Sequence, residues 1–165
     1  HHLLRRQRQM CIRDRVIPYA TDELALVLPS KHPLSNKKEL LKEDLYKLNF
    51  VTLDSQSTTR KVVDKLLKDS GLDIQRLKIE MELNSLEAIK NAVQSGLGAS
   101  FLPVVSIERE LAAGTIHKAF IADLEVKREL KLITNPSRYT SRASEVFKKN
   151  ILPQFASFES PLRES

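Results

Sequence analysis

Cysteine is almost absent from this sequence. Cys11 is the only one in 165 residues, so no internal disulfide can form and no second thiol completes a metal-binding pair. Redox and zinc chemistry drop out on that count. Also lacking is any apolar run near the roughly 20 residues of a membrane span, and the opening residues hold no apolar stretch of the secretory kind. The expectation is a cytoplasmic protein with no membrane partner. Internal repeats and low-complexity tracts are missing too.

Catalytic constellations are equally scarce. The four histidines are His1, His2, His32 and His117. Two lie at the very start, His32 reads as an exposed residue of a Pro-bounded turn, and His117 stands alone in a strand. Neither of the last two has a neighbouring carboxylate or hydroxyl in a pattern that marks a triad, although partners distant in sequence stay open. Glu80 and Glu82 read as the solvated face of a strand. Gly96-Leu97-Gly98 lacks the third glycine of a nucleotide fingerprint and runs from helix to strand, the reverse of a phosphate cradle, so its role is structural. No enzyme and no cofactor are expected.

What is present is enough apolar content, 41%, for one globular unit or two small lobes. The formal charge of +6 is unevenly spread: Arg5, Arg6, Arg8, Arg13 and Arg15 face only Asp14 in the first fifteen residues. The rest of the chain is nearly neutral, and gives little reason to expect contact with a phosphate backbone. The segment 1–15 has no helical or strand period and reads as a non-native basic leader. Residues 157–165 read as a disordered tail.

Between them, strand and helix patterns alternate. Glu23–Leu28 (ELALVL) is a short apolar run before Pro29 and Pro33, hence a buried strand. A helix-like pattern of Leu40, Leu41 and Leu45 follows, then a strand over Asn49–Leu53. Val62, Val63, Leu66 and Leu67 predict an amphipathic helix ended by Gly71. Leu77–Leu83 alternates as a strand, and a helix from Asn84, with Glu87 as its capping-box partner, buries Leu86, Ile89 and Val93 up to Gly96. A strand into Pro103, a helix over Val104–Ala113, strands over Ile116–Ile121 and Leu130–Thr134, and a helix over Ser141–Phe155 complete the series. The fold class is α/β, with a mainly parallel sheet.

Two helix starts follow the carboxyl ends of strands, where open α/β sheets bind ligands. One is Ser57-Thr58-Thr59-Arg60; the other is Asn84-Ser85. Each offers hydroxyls, unpaired amides and the positive end of a helix dipole, which suits a small anion. Ser, Thr and Asn also cap helices in any protein, so both roles stay open at this point.

The stretches ELALVLPSKHPL (Glu23–Leu34) and LNSLEAIKNAVQSGLGASFLP (Leu83–Pro103) resemble the effector domain of LysR-type transcriptional regulators. DSQSTTRKVVDKLL, KIEMELNS and ITNPSRYTSRASEVF are most similar to regulators of RuBisCO operons in cyanobacteria and plastids. The resemblance covers residues 16 to about 156. It implies a periplasmic-binding-protein-like, two-lobed domain in truncated form: residues 31–127 as a complete second lobe, and 16–30 with 128–156 as a partial first lobe and crossover strands. It further implies that Ser55, Gln56, Ser57, Thr58, Asn84 and Ser85 hold a small anionic metabolite between the lobes, and that a missing winged helix-turn-helix binds DNA in a dimer or tetramer. A truncated first lobe would leave Val146, Phe147, Ile151 and Phe155 uncovered. The rival reading is a solute-binding protein of a transporter with the same fold.

Overall fold

The computed structural model describes residues 15–135 and 140–151; the leader, apart from Arg15, and the tail at 157–165 lie outside them. The chain divides into two compact units, residues 23–128 and residues 1–22 with 129–165. Among the described residues the strands are β1 (Arg15–Pro29), β2 (Asn49–Leu53), β3 (Lys78–Leu83), β4 (Ser100–Pro103), β5 (Ile116–Ala119) and β6 (Lys127–Thr134). The helices are α1 (Thr58–Asp69), α2 (Leu86–Gln94), α3 (Glu108–Ala112) and α4 (Arg142–Val146), the last continued by a π-turn over Phe147–Ile151.

In the unit 23–128 the sheet is mixed rather than mainly parallel. β2 and β3 pair parallel, and β2 is joined to β4 by Ala99 N donating to Asn49 O at 2.7 Å and Val51 N to Ala99 O at 2.9 Å. β1 then runs antiparallel between β4 and β5. Alternation of strands and helices cannot reveal this, because β1 enters the unit without a crossover helix and is free to run against its neighbours.

The unbroken apolar run of β1 has a simple cause: both faces of the sheet are covered. Leu24, Leu26 and Leu28 join Phe50, Phe101, Val63 and Leu67 in one core cluster, whereas Val27 joins Val51, Leu102, Ile89, Val93 and Ile107 in another. The two-residue period of each strand thus feeds two cores, with α1 on one face and α2 and α3 on the other. Phe50 and Phe101 stack in parallel at 6.2 Å between ring centroids.

Three local expectations change. The leucine pattern at Leu40–Leu45 is not a helix: two 3-10 turns, Pro33–Asn36 and Lys42–Lys47, flank Leu40, whose amide donates to Phe120 O at 2.8 Å. Burial of Leu40 and Leu45 in the core produced the spacing without a helical backbone. The helix expected at Val104–Ala113 is a 3-10 turn, Val104–Ser106, followed by the short α3. His32 is half-buried, and its Nδ1 accepts from Leu34 N at 3.1 Å, capping the first of the 3-10 turns.

Asp44 is the most firmly held acid of this unit. Its nearly buried carboxylate accepts from Lys37 and Lys47 Nζ at 2.8 Å each and from Leu41 N at 3.1 Å. The hydrogen bond from Lys37, then that from Lys47, holds its carboxyl far below the usual range. A carboxylate with a depressed folded pKa adds stability above its unfolded pKa, about 3.9, and loses it as pH falls through the folded value. Asp44→Asn should therefore cost about 2 kcal/mol at pH 7, with the gap to the parent protein closing below about pH 4. Urea unfolding across that range checks it; a gap independent of pH counts against the assignment.

In the other unit, β6 pairs with β1 and α4 is capped by Ser141, whose hydroxyl accepts from Ser144 N at 3.2 Å. Val146 and Phe147 are exposed; the helix expected over Ser141–Phe155 is the short α4 with its π-turn, and Phe155 lies outside the described residues.

Candidate functional site

The carboxyl ends of β2 and β3 are level: Leu53 is the register partner of Leu83, and Asp54 N donates to Leu83 O at 3.0 Å. This brings the loop after β2 and the loop after β3 to one edge of the sheet. Ser57 caps α1 by accepting from Arg60 N at 3.5 Å, and Ser85 caps α2 by accepting from Ala88 N at 3.4 Å. The cap of α2 is therefore Ser85 and not Asn84. Glu87 does not close a box with it; its carboxylate lies 2.7 Å from Lys90 Nζ.

The six residues singled out from the sequence thus divide by role. The Ser57 and Ser85 hydroxyls are occupied in capping. Ser55, Gln56, Thr58 and Asn84 are exposed, and among the described hydrogen bonds none of their side chains has a partner. Asp54 shapes the first loop by accepting from Gln56 N at 2.9 Å, and it places a carboxylate next to the amides that would greet an anion.

Arg60 behaves otherwise than its position suggests. Its Nε donates to both Asp64 carboxylate oxygens at 2.8 Å, and Nη1 donates to the Thr52 hydroxyl and to Leu53 O at 3.1 Å. Glu82 Oε1 lies 3.4 Å away. The guanidinium thus lies along the protein. A second arginine, missed in the sequence, reaches the same turn: Arg128 Nη1 donates to the Thr59 hydroxyl at 2.8 Å. Nothing local marks it, since 69 residues separate the two partners.

Topology adds a further wall. β2 and β4 are neighbours, yet the loop after β2 leads to α1 on one face and the loop after β4 leads to Ile107 and α3 on the other. Parallel strands whose connections diverge in this way open a crevice at their carboxyl ends. The turn Val104–Ser106 follows the carboxyl end of β4, a segment that sequence patterning treats as plain helix.

The cavity beside this crevice is small, about 30 Å³, which is room for roughly one water. Thr52, Thr59, Arg60, Asp64 and Ser100 are its polar lining residues, with Phe50, Val63 and Phe101 among its walls. A wider cavity of about 500 Å³ is lined by Glu23, Lys118, Phe120, Asp123 and Glu125 among others, and includes none of the six residues. Among the described residues, no group of three His, Cys, Asp or Glu is placed to hold a metal ion. No described helix is long and apolar enough to cross a membrane.

Comparison with known proteins places this geometry. The model of the LysR substrate binding domain family matches residues 13–156. Two similar sequences are each described as "Probable RuBisCO transcriptional regulator": that of Synechocystis sp., 58% identical over 141 residues, and that of Nostoc sp., 59% identical over 141 residues. Each match covers 86% of this chain but 41% and 42% of the respective relative, so the chain spans less than half the length of these regulators. Among solved structures, the regulatory domain of Synechocystis PCC6803 CcmR in complex with 2-PG superposes with a TM-score of 0.76 at 23% identity, over 92% of this chain and 71% of that one. The effector-binding domain of QuiR in complex with shikimate gives 0.68 at 23% identity, over 87% and 64%. At such identities these two establish the periplasmic-binding-protein-like fold alone.

Proposed function

We propose, from the premise that this chain belongs to the LysR substrate binding domain family, that it is the effector-sensing part of a cytoplasmic regulator of carbon-fixation genes. Its effector is a small organic anion, held by the loop Ser55–Thr58 and by Asn84 and Ser85. DNA binding belongs to a winged helix-turn-helix elsewhere in the regulator, and the working form is an oligomer. The division of labour agrees with the nearly neutral body of the chain.

One observation carries the location of the site: the in-register ends of β2 and β3 at Leu53 and Leu83, which bring both capped helix starts to one edge. Backbone amides at helix N-termini favour negative charge by orientation alone, without a full cation. The exposed Thr58 and Asn84 side chains then supply the hydrogen bonds that distinguish one anion from another. An effector held better in one arrangement of the domain shifts the population towards it, by no more than its difference in affinity.

The test uses the full-length regulator and 2-phosphoglycolate, the ligand of the CcmR structure. Thr58→Ala combined with Asn84→Ala should weaken its binding about 30-fold, two lost hydrogen bonds at about 1 kcal/mol each. Operator affinity without effector should be unchanged. Isothermal titration and a gel-shift assay read the two quantities; unaltered affinity for the anion would remove these residues from the site.

A further inference from the structure

We propose that Arg60 is a positioning residue of the effector site, pinning the first turn of α1 to the ends of β2 and β3, with its charge spent inside the protein and not on the ligand. The inference rests on the effector site described above and specifies how its first loop is held.

The geometry follows from helix stereochemistry. Side chains on a helix lean towards its N-terminus, so Arg60, three residues after the Ser57 cap, reaches back over the first turn. There its planar fork meets three elements together: Asp64 one turn further along α1, the Thr52 hydroxyl and Leu53 carbonyl on β2, and Glu82 on β3. The side chain is only 15% exposed. Two carboxylates facing one guanidinium leave no net positive charge for an incoming anion. What Arg60 supplies is alignment: it fixes the direction of the α1 amides relative to β3, and hence to Asn84 and Ser85. Lysine, with one compact ammonium, lacks the fork that reaches all three elements.

A ligand-contact role and a positioning role predict opposite signs for Asp64→Asn. If Arg60 met the anion, removal of a competing negative charge would leave binding unchanged or tighten it. With Arg60 as a brace, loss of its charged partner should loosen the first turn and weaken 2-phosphoglycolate binding by the full-length regulator about tenfold, the equivalent of one hydrogen bond. Arg60→Met should do the same, and Arg60→Lys should fail to rescue it. A second readout needs no ligand: amide hydrogen exchange over residues 53–64 should accelerate in Asp64→Asn and Arg60→Met while α2 and β5 keep their rates. Tighter or unchanged anion binding in Asp64→Asn, rescue by lysine, or unchanged exchange over 53–64 each overturns the proposal. If the parent regulator does not bind 2-phosphoglycolate, the reading of the effector fails for that anion, and the exchange measurement still decides the role of Arg60.

Discussion

Gly98→Val is expected to destabilise the domain by about 3 kcal/mol or more, the cost of forcing atoms into a closed space. A Cβ at Gly98 would lie 2.6 Å from Asn49 O, 3.2 Å from Asn49 C and 3.3 Å from a Val51 methyl. Two of those atoms are backbone, so no rotamer change relieves the clash. Asn49 O is also the acceptor of Ala99 N, and the hydrogen bonds that join β2 to β4 would have to move with it. That junction holds β2, whose carboxyl end leads into the candidate loop, so effector affinity should fall along with stability. Gly96→Ala provides the contrast. Gly96 has φ +87° with open space around its Cβ position, and its replacement should cost only about 1 kcal/mol, for the left-handed backbone. With no tryptophan in the chain, far-ultraviolet circular dichroism during urea unfolding is the suitable probe. Equal losses for the two variants would show that the approach at Gly98 is not tight.

Lys90→Met should cost about 3 kcal/mol, the usual penalty for leaving a buried charge without its partner. The Lys90 side chain is 9% exposed, and its Nζ lies 2.9 Å from Glu110 Oε1, 3.1 Å from Ser106 O and 2.7 Å from Glu87 Oε1. It ties α2, which carries Ser85 at its start, to α3 and to the turn after β4. The bond to Glu87, followed by that to Glu110, raises the lysine above the usual amine range, and the bond from Lys90 lowers the Glu110 carboxyl. The carboxylate contribution is present above the unfolded glutamate pKa and is lost in acid. That of the lysine is present below the unfolded lysine pKa and is lost in strong base. The pair therefore stabilises across the whole neutral range.

Glu110 Oε2 is buried and, among the described residues, has no hydrogen-bond partner, so the network is not fully satisfied even in the parent protein. Replacing both members, Lys90→Met with Glu110→Leu, should accordingly return stability to within about 1 kcal/mol of the parent, since an apolar pair avoids the desolvation cost altogether. A thermodynamic cycle over the two single variants and the double variant measures this. If the double variant is as unstable as Lys90→Met alone, packing around Lys90 and not its charge is what matters.

Much of the framework of the candidate site was legible in the sequence for a local reason. Ser57 and Ser85 act through amides three residues away, and Leu53 and Leu83 end strands whose patterns are visible in five or six residues. What stayed hidden depends on contacts distant in the chain. Arg60 reads as a cation beside a hydroxyl loop until Thr52 and Glu82 are seen across the strand ends. Arg128 lies 69 residues from Thr59. The leucines near Leu40 read as helical because two of them, Leu40 and Leu45, meet a core while Leu41 is exposed, and a core can be met by two 3-10 turns as well as by a helix.

The amino-acid sequence by itself determined the family, the alternation of strands and helices, the two capped helix starts and the neutrality of the body. These depend on propensities and periods that act within a few residues. The tertiary structure alone decided that β1 runs antiparallel between β4 and β5, that β2 and β4 are neighbours whose connections leave on opposite faces, and that Arg60 faces inward. Strand order and the pairing of charges are settled by which surfaces can be buried together, and that competition takes place across the whole chain at once.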